Sequence, residues 1–73
     1  MIQFASIENR NDTYFVDWYS ILGSGKATVP CRDFDSAVKY ARSLPDVTVN
    51  INCEVPERMT ADTWAYVQSG VKA

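Results

Sequence analysis

The chain predicts a small two-layer α+β fold, an antiparallel sheet of three to four strands with a central amphipathic helix packed on one face. Three observations carry that expectation. Residues 13–22 are dense in aromatic and β-branched side chains, which favour a strand. Phe34, Ala37, Val38, Ala41 and Leu44 recur at helical spacing, leaving Lys39, Arg42 and Ser43 on the wet side. Val47, Val49, Ile51, Cys53 and Val55 alternate strictly with Thr48, Asn50, Asn52 and Glu54, giving one apolar and one polar strand face. The element order is β-β-β-α-β, followed by a C-terminal helix.

Residues 1–7 read as the first strand, with Ile2 and Phe4 toward the core and Gln3 and Ala5 on the other side. Residues 8–12 form a polar cluster suited to a hairpin connection. Asn11-Asp12-Thr13 matches the glycosylation sequon, which has no meaning without secretion, so a turn is the reading taken. In the second strand Tyr14, Val16, Trp18 and Leu22 line the core face. Phe15, Asp17, Tyr19 and Ile21 line the other. Both faces carry aromatics, so this strand is expected to be central, with part of its second face covered or used for binding.

Gly23-Ser24-Gly25-Lys26 invites comparison with a phosphate-cradling loop, and fails it. A Walker loop needs a glycine where Ser20 stands and a Ser or Thr where Ala27 stands. A flexible turn into a third strand, residues 27–32, is the better account. Pro30 cannot donate to a ladder and places that strand at an edge or a bulge. Asp33 caps the following helix and Pro45 bars it from continuing past Leu44. The strand after it, residues 47–55, returns parallel to an earlier strand through a right-handed crossover. Pro56-Glu57-Arg58 breaks that pattern. Thr60 then caps a helix over residues 61–69, stopped by Gly70, with Ala61, Trp64, Ala65 and Val67 as its apolar side. A strand through residues 63–67 is the competing reading.

A chain of 73 residues is one domain, spanning residues 1–73. At this size a fold buries roughly 60–65% of its unfolded surface, so stability is modest. With 47% hydrophobic and 22% charged residues it is globular rather than disordered. A formal net charge of −2 argues against direct binding of nucleic acid and suits a basic partner. No apolar run approaches the roughly 18 residues that span a bilayer, and the first residues lack a signal-peptide pattern. The expected location is the cytoplasm. Cys31 and Cys53 are too few and too far apart for a zinc site and are expected as reduced core thiols, a disulfide being the alternative if their strands were neighbours.

Without histidine the commonest proton shuttle is missing, and no serine sits in a nucleophile elbow. Asp33 and Asp35 are the one close carboxylate pair, and capping accounts for the first. The reading is no enzyme, no cofactor and no metal. Phe15 and Tyr19 on an open face suggest the stacking platform of single-stranded RNA binders, but residues 48–54 of the polar face supply no cation.

Gly25-Lys26, then Cys31-Arg32-Asp33-Phe34-Asp35-Ser36 and a Leu44-Pro45 helix exit, resemble part of a small phage-encoded type I anti-CRISPR protein. The likeness covers roughly a third of the chain and centres on Arg32 to Ser36. It implies a non-enzymatic inhibitor, in a bacterial host cytoplasm, that docks on the CRISPR surveillance complex and blocks recognition of target DNA. Such a protein works as an acidic competitor for a Lys/Arg-rich surface that otherwise holds nucleic acid. Partner-binding candidates are Asp17, Tyr19 and Glu54 on the outer sheet face, and Asp33, Asp35 and Tyr40 around the helix start. The chain acts as a monomer or homodimer. The runner-up is a phage or bacterial accessory domain that binds another protein.

Overall fold

The first two strands, β1 (Gln3–Arg10) and β2 (Thr13–Ser20), join through Asn11 and Asp12, whose φ angles are 53° and 66°. Two left-handed residues in succession make the tight turn whose twist matches a hairpin, and Asn and Asp tolerate that conformation better than most side chains. The turn is therefore shorter than the polar cluster suggests. Glu8, Asn9 and Arg10 belong to β1 and pair with Phe15, Tyr14 and Thr13. Their polarity reflects an exposed strand end, held by the Arg10 guanidinium 5.1 Å above the Phe15 ring.

This computed structural model describes residues 2–21 and 25–69. Its further elements are β3 (Lys26–Cys31), α1 (Phe34–Arg42), β4 (Val47–Ile51) and α2 (Ala61–Gln68). The expected roles of Leu22, Gly23, Ser24 and Gly70 lie outside the described residues. The sheet runs β3-β2-β1-β4. β2 is interior and Pro30 stands on an edge strand, as anticipated. The sheet is mixed, not antiparallel. The β1–β2 and β2–β3 pairs are antiparallel, whereas β4 lies parallel to β1, because α1 carries the chain across the two middle strands before it re-enters the sheet.

Register decides which face of β1 is buried. Ala5 stands opposite Trp18 and Ile7 opposite Val16, so Gln3, Ala5 and Ile7 point to the core and Ile2 and Phe4 point outward. That reverses the orientation expected from β1 alone. Gln3 is tolerable inside because its amide donates to the Pro45 carbonyl at 2.9 Å while its backbone N–H donates to Asp46. The buried cluster unites Ala5, Ile7, Val16 and Val49 of the sheet with Phe34, Ala37, Val38 and Ala41 of α1. Three alanines in that layer let helix and sheet approach closely. Asp33 caps α1 by accepting from the Ser36 N–H at 2.8 Å. The helix ends at Arg42, two residues earlier than its apolar spacing allows, and Leu44 packs against the core from the loop.

β4 also stops early. The Asn52 N–H makes the last bond to β1, donating to Ile7, and the chain then leaves the sheet. Cys53 still packs against the core, but Val55 is exposed. Residues 61–68 are helical, and the competing strand does not form. The inward side of α2 is Thr63, Tyr66 and Val67, while Trp64 is 54% exposed and Ala61 and Ala65 face away. The rotation of α2 is fixed at its N-terminus. The Thr60 N–H and hydroxyl both donate to Asp35, at 2.9 and 3.1 Å. The Arg42 guanidinium lies 4.4 Å over the Tyr66 ring, securing the second turn. Cys31, in β3, and Cys53, past the end of β4, are both free thiols, so the disulfide alternative does not form. Burial raises both thiol pKa values.

Candidate interaction surface

α1 covers the inner face of the sheet and α2 packs on α1, so neither helix reaches the outer face. That face has two unlike halves. Toward the β1–β2 turn, Arg10 donates to Glu8 at 2.6 Å and to Asp17 at 3.2 Å, and the Thr28 hydroxyl also donates to Asp17. The Arg10 pKa is raised, first by its bond to Glu8. At the other end, Phe4 stacks on Tyr19 with ring centres 5.6 Å apart and planes 27° apart. Ile2 and Ile21 stand beside them, joined by the Ile21 N–H donating to the Ile2 carbonyl. Ile2, Tyr19 and Ile21 are 54%, 52% and 51% exposed, which leaves an apolar strip without cover among the described residues.

Charge on this face is balanced. Glu8 and Asp17 are offset by Arg10 and by Lys26, which pairs with Tyr19 across the strands. The Asp17 carboxylate is engaged twice and is not a free anion. The acidic sheet face expected from composition is thus a neutral polar network next to an apolar strip.

The candidate residues fall into separate places. Asp17 and Tyr19 are two residues apart on the outer face of β2. Glu54 is exposed but lies past the end of β4, in the connection to α2, so it is not part of the sheet face. Asp33 and Asp35 are close together at the start of α1, in the helical layer. The Ser36 N–H holds the Asp33 pKa down, and the Thr60 N–H does the same for Asp35. Tyr40 accepts from the Trp18 indole N–H at 3.1 Å on the covered side of the sheet. The structure therefore joins Asp17 with Tyr19, and Asp33 with Asp35, but sets the two pairs in different layers.

Sequence reasoning missed Ile2 and Phe4 as outward residues. The signal available was the two-residue turn, since pairing Arg10 with Thr13 places Phe4 opposite Tyr19. A groove of about 640 Å³ between α1 and α2 is lined by Asp35, Lys39, Arg42, Thr60, Asp62 and Thr63, among others. Arg42 bonds Asp62 at 3.4 Å and Asp35 bonds Thr60, so these groups fasten the helices to each other. No group of three or more metal-ligating side chains converges among the described residues, and no described helix is long and apolar enough to cross a membrane. No protein-family model, curated protein or solved structure matches the chain.

Proposed function

We propose that this protein is a non-enzymatic inhibitor that binds another protein through its outer sheet face, with a type I CRISPR surveillance complex as the partner. The observation that carries the binding reading is the uncovered strip of Ile2, Phe4, Tyr19 and Ile21 on a face that neither helix reaches. Stacked aromatics flanked by isoleucines suit the desolvated centre of an interface, and the Glu8–Arg10–Asp17–Thr28 network suits its polar rim. The choice of partner rests on the resemblance around Arg32 to Ser36 and on the formal charge of −2. In this reading the apolar strip supplies affinity. The net negative charge assists approach to a Lys/Arg-rich surface, and occupation of that surface excludes target DNA.

The test measures target-DNA capture by a purified type I surveillance complex with the chain added. Wild type is expected to abolish capture. The exposed double variant Tyr19→Ala, Ile21→Ala, folded by circular dichroism, is expected to bind the complex at least about tenfold more weakly. Undisturbed DNA capture overturns the anti-CRISPR assignment. Equal binding by the double variant removes the strip as the contact surface.

A second reading has its own support. Phe4, Phe15 and Tyr19 share the outer face with Arg10 and Lys26, a combination suited to stacking single-stranded RNA bases. Salt-sensitive binding of labelled single-stranded RNA, lost in the same double variant, selects it.

A further inference from the structure

We infer that α2 is a strap, clasped at Asp35, that leaves α1 as a unit while α1 and the sheet stay folded. Of its eight residues only Thr63 is buried, with Tyr66 and Val67 reaching the margin of the core. Among the other elements it approaches α1 alone. The chain that leads to it is attached as lightly. Residues 53–59 form no helix or strand, and among the described residues they make no hydrogen bond. Cys53 and Met59 are the side chains of that stretch that pack against the core. The fully buried cluster joins α1 to the sheet and includes no residue of α2 or of the stretch before it.

The polar ties of the strap end on two residues of α1. Asp35 accepts from the Thr60 N–H at 2.9 Å and from the Thr60 hydroxyl at 3.1 Å. The same Thr60 oxygen accepts from the Thr63 N–H and caps α2, so one carboxylate fixes both the place of the helix and its first turn. Arg42 supplies the second tie, to Asp62 at 3.4 Å and over the Tyr66 ring at 4.4 Å. The Asp62 side chain is 87% exposed, where an ion pair contributes little. A helix of eight residues is too short to persist alone in water, so leaving α1 and melting are one event. With few buried contacts to break, that event costs less than unfolding the cluster beneath it. Opening uncovers the flank of α1 around Val38, in the helical layer and away from the outer sheet face. The inference is independent of the partner proposed above.

Amide exchange of the full chain in rising urea tests it, together with two substitutions. The amides of Trp64 to Ser69 are expected to open at least about tenfold more often than the bonded amides of α1, β1 and β2. Their opening is also expected to respond more weakly to urea, because less surface is exposed. Ala65→Pro, at an outward position, breaks α2 and is expected to leave α1 and the sheet protected and cooperatively folded. Asp35→Ala is expected to lower the urea midpoint of wild type and to lower that of Ala65→Pro by less than half as much, since the clasp then has nothing to hold. Amides of α2 that open no more often than the sheet, with the same urea dependence, overturn the inference. So does an Ala65→Pro chain that unfolds throughout, or an Asp35→Ala effect undiminished when α2 is already broken.

Discussion

Trp18 connects the two layers through one atom. Its ring packs at the margin of the core, and its indole N–H donates to Tyr40 at 3.1 Å, binding β2 to α1. A net hydrogen bond of this kind contributes about 1 kcal/mol, while a donor left without an acceptor in a partly buried place costs more. In a 73-residue chain whose total stability is on the order of 4–11 kcal/mol, that is a measurable share. Tyr40→Phe is expected to destabilise by about 1–2 kcal/mol in urea unfolding, because the indole N–H loses its acceptor. Trp18→Phe with Tyr40→Phe is expected to cost less than the two single changes summed, since neither partner is then left unmatched. Residue chemistry was readable here only in part. The sequence presents Tyr40 as a candidate contact near the helix start, and the fold engages its hydroxyl with Trp18, which lies 22 positions away in the chain. Nothing in either residue's neighbours could announce that pairing.

Among elements, the β1–β2 hairpin governs the most. Its two-residue turn sets the register, and the register sets which face of each strand is inside. Asp12 holds φ 66°, a conformation that glycine adopts without steric cost. Asp12→Gly is expected to raise stability by about 0.5 kcal/mol and Asp12→Val to lower it by about 1–2 kcal/mol, read as shifts of the urea midpoint. α2 shows the limit of periodicity. Ala61, Trp64 and Ala65 form its most apolar side, yet the helix buries Thr63 and sets Tyr66 and Val67 against the core. Asp35 decides this by gripping Thr60, and a bond across 25 residues overrides a local pattern.

For the whole molecule, two carboxylates couple folding to pH. Asp33 and Asp35 both have folded pKa values below the ordinary carboxylate range, the first through the Ser36 N–H and the second through the Thr60 N–H. Where folded pKa is depressed, the unfolded chain binds more protons, so stability rises with pH through that window. The contribution is complete above the unfolded carboxylate pKa of about 4 and disappears as pH falls through the folded values. Melting followed by circular dichroism is expected to show a falling midpoint below about pH 4. Asp33→Asn with Asp35→Asn is expected to flatten that fall. A double variant as acid-sensitive as wild type transfers the effect to other carboxylates.

The chain by itself determined the content of the fold: a strand-rich first half, an Asp33-capped helix, an edge strand at Pro30, a Thr60-capped second helix and one polar strand face around Thr48 and Asn50. These follow from spacing, capping and backbone chemistry, which act over a few residues. The parallel return of the strand after the helix was also readable, but only the tertiary structure decided that β1 is its neighbour, that Ile2 and Phe4 turn outward, that Trp64 faces away, and that Arg10 neutralises Asp17. Each of those outcomes depends on a partner distant in the chain. Local patterns set what a segment can form, whereas register and long-range bonds select which of its two faces is buried.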